Sequence, residues 1–425
     1  MGMSMARRLL LTMPGSGGWA TVAAPDAAFS FLPFTIQKLK STFRVNPSWS
    51  IEVLAPTGKA YYVDRSRPND SGDGLSWATA LQDITTALAK SDISELHIAE
   101  GIYEYTYGWE NSSPNRNIAV YGYGDVIVCP YLPGLSWSAV DSHYTATNSA
   151  CLNVLDRSNV DENGDWQSLV KKDSEAEVEA TAGSWYFEGT TIYVHTFDDR
   201  EPDADIWPIV YSGNGLQNNE VTYYIENMKF YGGSSAFCTT NTSTGLNLYV
   251  NNCEFKYAHT KNGLGMDGGT LCIAKDCVSA CNKLDGFKME EQDGQYGNFI
   301  MIDCISRSNG CGVSPADNCN GYSRHDRGST VIINSEMFNN QGRNIQDVDG
   351  AKLWCVSTNN HDSCSITAGA DINFAASGAD TEMWLDSCIS SGGEYDVESG
   401  TDAAVYLRNF TGDATNIETG TIADY

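Results

Sequence analysis

The chain has 425 residues, with 26 Lys and Arg against 54 Asp and Glu and a net charge of −28. Such a surface repels nucleic acid and anionic membranes, and no stretch reaches the 18 or so apolar residues of a membrane span, so neither nucleic-acid binding nor membrane insertion is expected. The 13 cysteines are an odd number in a chain far longer than a disulfide-stapled module, and read as reduced thiols made in a reducing cytoplasm.

In chain order, Arg7-Arg8-Leu9-Leu10-Leu11-Thr12-Met13 opens like an export signal, but Pro14-Gly15-Ser16-Gly17-Gly18 breaks the apolar run too early. Residues 1–56 match no repeat and carry Phe29, Phe31 and Phe34 and a basic stretch, Lys38–Arg44. They predict an attachment arm, partly without order when free, whose exposed phenylalanines dock on other proteins or on further copies in a trimer. Residues 57–129 predict a cap and first coils. There Tyr61-Tyr62-Val63-Asp64 forms a strand, Gly72-Asp73-Gly74 a turn, and Leu81 to Leu88 a short helix with Leu81, Ile84 and Leu88 on one face. Residues 130–208 interrupt the pattern. Glu175–Ala180, Gly183–Gly189 and Thr191–His195 there read as β-hairpin segments of an all-β insertion, with Trp137, Trp166 and Trp185 available for stacking on sugars.

Residues 209–425 are dominated by one recurring segment: YYIENMKF (Tyr223–Phe230), LYVNNCEF (Leu248–Phe255), LCIAKDCV (Leu271–Val278), FIMIDCIS (Phe299–Ser306), TVIINSEM (Thr330–Met337), AKLWCVST (Ala351–Thr358), MWLDSCIS (Met383–Ser390) and VYLRNF (Val405–Phe410). Anchored on Met228, Cys253, Cys277, Cys304, Glu336, Val356, Cys388 and Phe410, the copies lie 20 to 32 residues apart. A unit that small cannot bury its own apolar face, so the units must stack into a solenoid. Period-two strands followed by Asn, Gly or Ser make it a parallel β-helix. A propeller blade needs about 40 residues, and a sandwich would not repeat Cys at one position.

The cap carries a resemblance. Tyr62-Val63-Asp64, Gly72-Asp73-Gly74, Ser76-Trp77-Ala78-Thr79-Ala80 and Ile84 to Ala87 are similar to the N-terminal cap of the pectate-lyase-like right-handed parallel β-helix proteins, phage tailspike depolymerases among them. The likeness continues loosely to about residue 412. It implies an all-β, right-handed solenoid closed by a capping helix, a polysaccharide partner, and a homotrimer as in tailspikes.

The densest polar run is Asn320-Gly321-Tyr322-Ser323-Arg324-His325-Asp326-Arg327, flanked by Asp317, by Asp285-Gly286-Phe287-Lys288 and by Asp347-Val348-Asp349. Stacked about 4.8 Å apart per rung, these residues predict a strip that cuts glycosidic bonds. Asp285, Asp317, His325, Asp326 and Asp349 are its catalytic candidates, with Lys288, Tyr322, Arg324 and Arg327 binding substrate. Two carboxyls suit a hydrolase; a Lys, Arg or His base suits a lyase. The plainer reading is that Asp-Gly and Asn-Gly are corners. No cofactor is expected. Asp347 and Asp349 give an incomplete Ca²⁺ ligand set, and no other metal motif is present. Taken together, the sequence predicts a phage tailspike-like protein that binds and cleaves a bacterial surface polysaccharide, located in the virion. The alternatives are an extracellular bacterial lyase or glycoside hydrolase, and a virion protein that binds glycan without cutting.

Overall fold

The computed structural model describes residues 18–425, apart from 107, 110–113, 212, 214, 217–219, 243–244, 311–318, 365–370, 414 and 418–419. The Arg7–Met13 segment, Cys311 and Asp317 lie outside the described residues. The chain folds as a right-handed parallel β-helix. Seven successive coils each contribute three strands, from Thr222–Glu226, Lys229–Tyr231 and Phe237–Thr242 to Glu382–Asp386, Ile389–Ser391 and Tyr395–Ser399. Every strand pairs in parallel with its counterpart one coil away.

The segment that repeats in the sequence is the first strand, a corner and the second strand. At that corner Asn227, Asn252, Asp276, Asp303, Asn334, Ser357, Ser387 and Asn409 all adopt φ between 49° and 57°. Asn and Asp tolerate this left-handed conformation best among residues with a side chain, which is why the motif keeps them there. The next residue begins the inward stack. Met228, Cys253, Cys277, Cys304, Ser335, Thr358, Cys388 and Phe410 stack there, and from Met228 to Cys388 each carbonyl accepts from the N–H of the residue after its neighbour on the next rung, as Met228 O does from Glu254 N at 3.0 Å. The four expected cysteines therefore share one inner corner. Two anchors shift, however: Ser335 and Thr358 replace Glu336 and Val356, because small polar residues fill those rungs instead of Cys, while Phe410 keeps its place and packs on the inner core.

The N-terminal cap follows expectation, although its helix covers only Ile84–Leu88 and is capped by the Asp83 carboxylate accepting from Thr86 N at 2.9 Å. Leu81, Ile84 and Leu88 are all buried at the end of the core. The insertion is built mainly from antiparallel strands, including the Ser184–Glu188 and Thr191–His195 hairpin, with Val170–Lys171 added in parallel to Ser184–Glu188. Glu175–Glu179 is a helix rather than a hairpin segment: Ser174 caps it and buried Val178 anchors it. Asp165 of the insertion is clamped by Lys256 at 2.9 Å and Arg307 at 2.8 Å on the solenoid flank.

The arm departs from the expectation of exposed phenylalanines. Phe29 and Phe34 are 1% and 8% exposed, Phe31 is half-buried, and Phe43 and Ile51 are buried with them. They cover the outward side of the first strands, where Tyr224, Tyr249, Ile273, Ile300, Val331, Trp354 and Trp384 form an apolar column. Because these strands are buried on both faces, they read as continuous apolar runs. The phenylalanines thus have a core to enter on their own chain, and give no ground for docking elsewhere.

Candidate active site

The third strands carry the polar residues. Here Leu264–Gly268, Phe287–Glu290, Tyr322–Arg324 and Ile345–Val348 lie side by side. Phe287, Met289, Tyr322, Arg324 and Asp347 point inward; Lys288, Ser323 and Gln346 form an outward column. This alternation divides the expected site. Tyr322 is fully buried and donates to Thr330 Oγ1 at 2.6 Å. Arg324, 2% exposed, donates to Thr330 Oγ1 at 2.9 Å and to the Ser329 and Gly297 carbonyls. Both are core residues, so the role of holding substrate does not fit them.

Asp285 is buried and holds a corner. Its carboxylate accepts from Asn320 N at 2.8 Å, Asn320 Nδ2 at 3.0 Å and Ser323 Oγ at 2.6 Å. Burial raises its pKa nonetheless. Gly286 beside it is required by space, since a Cβ there would come within 1.9 Å of Ser306 Oγ. Asp326 and Asp349 occupy left-handed corners at φ 69° and 58°, the plainer of the two readings. Asp347 is sealed inside the coil, whereas Asp349 lies beyond the end of its strand, Ile345–Val348, at the left-handed corner, which disfavours a Ca²⁺ pair. Among the described residues, the one grouping with metal-ligand spacing is Asp161, Asp165 and Cys281, and the charge of Asp165 there already faces Lys256 and Arg307.

Lys288 and His325 remain at the outer face, joined by two acids absent from the expected set. Asp267 lies directly opposite Glu290 on the adjacent rung, and His325 continues the column, its backbone N–H donating to Met289 O at 3.2 Å. The Lys288 ammonium lies 3.1 Å from the Glu290 carboxylate. Burial, and then the Glu290 charge, raise the pKa of Asp267. Gly265, in register with Lys288, is covered by Asn262 and Cys238, which stand 3.6 and 3.7 Å from where a Cβ would be. Paired carboxyls with one pKa pushed up, beside a cation and an imidazole, can carry acid–base chemistry. Arg327 is exposed at the rim of this face. Asp267 escaped sequence reasoning because its strand, Leu264–Gly268, is glycine-rich and lacks the recurring motif; its spacing to Glu290, one coil length, was the available signal.

No family model matches the chain, and no curated protein matches it. Solved structures do. A structure of XylC with xylose aligns at a TM-score of 0.56 and 12% identity, over 85% of this chain and 68% of that one. A glycoside hydrolase aligns at 0.55 and 9% identity, over 86% and 96%. A tailspike protein from Pseudomonas phage LKA1 aligns at 0.29 and 12% identity, over 87% and 78%. At these identities the likeness is one of architecture: the chain has the pectate-lyase-like right-handed parallel β-helix fold.

Proposed function

We propose that the chain binds a bacterial surface polysaccharide along the outer face of its third sheet and hydrolyses it with Asp267 and Glu290. The observation that carries this reading is their direct register on adjacent rungs. A rung spacing of about 4.8 Å suits the separation of about 5–5.5 Å between the carboxyls of a retaining glycosidase. Asp267, its pKa raised, protonates the leaving glycosidic oxygen. Glu290, with Lys288 at 3.1 Å, attacks the anomeric carbon. Water, losing its proton to Asp267, then releases the sugar from Glu290 and restores both groups. His325, next in the same column, serves to orient a sugar hydroxyl. That two solved structures sharing the fold are a glycoside hydrolase and a protein in complex with xylose supports a saccharide ligand. Asp267→Asn and Glu290→Gln should each lower the release of reducing ends from capsule or lipopolysaccharide by about 10²–10⁴-fold while leaving the circular-dichroism spectrum unchanged. Cleavage at the parent rate by both variants would refute the assignment.

We place this activity on a virion, as a trimeric tailspike-like host-recognition protein. Cys253, Cys277, Cys304 and Cys388 are buried thiols stacked in the core, in keeping with a chain assembled in a reducing cytoplasm. Mass spectrometry of purified phage particles tests this; recovery of the protein only from particle-free culture medium would favour an extracellular bacterial enzyme.

A further inference from the structure

A second concavity lies away from the strip, between the insertion and the corner that joins the second and third strands. Its volume is about 450 Å³, and Asp161, Trp166, Lys171, Trp185, His259 and Lys283 line it. That is the size of an ordinary small-ligand site. The Lys171 ammonium lies 5.5 Å from the centre of the Trp185 ring. Among the described residues neither Lys171 nor Lys283 makes an ion pair, whereas Lys256 and Arg307, which pin the same insertion, are both engaged by Asp165. The acid in the lining, Asp161, is turned back on its own loop and accepts from Asn163 N at 2.8 Å and Asp165 N at 2.9 Å. His259 has its pKa lowered to about 4, by burial first and then by Lys283 and Lys171, so at neutral pH it is uncharged and offers a donor and an acceptor. Trp166, stacked on Tyr257 at 5.6 Å, supplies an aromatic wall.

We infer that this cleft binds a negatively charged sugar unit, and hence that the polysaccharide is an acidic one. An anion is repelled by the rest of a chain with net charge −28 and finds two unpaired ammonium groups here. The inference rests on the saccharide reading above and narrows it. His259 and Lys283 sit on the same two coils whose third strands carry Asp267 and Glu290, so a polymer anchored in the cleft continues onto the strip across two rungs.

The test is binding of the full-length protein to an immobilised panel of neutral and uronate-bearing bacterial polysaccharides, with Lys171→Ala/Lys283→Ala as the variant. Both side chains are exposed, so the fold should be kept, which thermal melting verifies. The expected result is retention on acidic members only, weakened about tenfold or more in the variant and weakened further by salt. Retention on neutral members only, on none, or on acidic members with unchanged affinity in the variant overturns the inference. The two readings fail separately. Acidic binding without cleavage sinks the hydrolase assignment and keeps the cleft, while cleavage of a neutral glycan does the reverse.

Discussion

Replacing Asp347 by Asn should make the protein less sensitive to pH. Asp347 is fully buried inside the coil, in register with Arg324 on the adjacent rung, and neither carboxyl oxygen finds a hydrogen-bond partner. The Tyr322 hydroxyl nearby donates to Thr330 instead. Burial pushes the carboxyl up to about 8, with the Arg324 charge opposing only part of the shift. The folded chain therefore holds a proton on Asp347 at neutral pH, while the unfolded chain, with an ordinary value of 3.8, does not. Folding must then take up that proton. Its contribution is fully favourable below about pH 4 and is lost at about 1.4 kcal/mol per pH unit as the pH rises toward 8. At pH 7 the deficit is on the order of 4 kcal/mol. Asn has nearly the same shape and does not titrate. Guanidinium unfolding of both proteins at pH 5, 6.5 and 8 should give curves that diverge with pH, Asp347→Asn gaining several kcal/mol over the parent by pH 8. Parallel curves across that range would falsify the argument, and would mean that Asp347 is ionised against Arg324 in the fold.

Other expectations follow from the geometry. Gly286→Ala should cost well beyond the roughly 1 kcal/mol of an ordinary glycine change, since its Cβ meets Ser306 Oγ; adding Ser306→Ala should recover part of the loss in a thermal melt, and no recovery would point to another clash. Removing residues 18–56 should expose Tyr249, Trp354 and Trp384 and turn the protein into aggregates detectable by light scattering, whereas a dispersed, fully folded product would show the column needs no cover. In thiol labelling of the native protein, Cys364, the one exposed cysteine among those described, should react first. Cys277 and Cys304, whose pKa burial pushes well up, should react only after unfolding; early labelling of either would contradict the closed coil.

The solenoid was legible because its first corner is so constrained. A left-handed backbone selects Asn, Asp or Ser, and the crowded position after it selects Cys or another compact residue, so both recur. The third strand had no such constraint. It runs from Leu264–Gly268 to Tyr395–Ser399 with little in common beyond its inward apolar positions, and the polar cluster around His325 was legible only as a cluster. Which members face outward depends on a strand register that the sequence hides, so the sequence alone offers Tyr322 and Arg324 as substrate-binding residues and leaves Asp267 unmarked. The asparagine ladder inside the second corner was invisible for another reason. Asn282 donates to Asn309 at 3.0 Å and Asn309 to Asn340 at 2.8 Å, yet each Asn taken alone looks like a turn residue. The arm misleads through context: Phe34 meets Trp49 of the arm itself at 4.6 Å, while Trp354 and Trp384, the partners of Phe29, lie more than 300 residues downstream.

That docking runs against the order of synthesis. Asp26 reaches Lys352 and Phe29 packs edge-on against Trp384 at 5.5 Å, Phe43 O accepts from Asn334, and Glu52 accepts from Asn251. The arm, made before any of these coils, thus begins its path on the coils that hold Lys352 and Trp384 and ends it near Asn251. Coils can stack one upon another as they emerge, each needing only its neighbour, but the arm has no complete seat until residue 384 is made. Until then its phenylalanines and the aromatic column both stay open to chaperones and proteases. Closure of the arm is therefore a check that the coils through Trp384 have been built, and a chain stopped before that rung would carry an uncovered aromatic column as its mark.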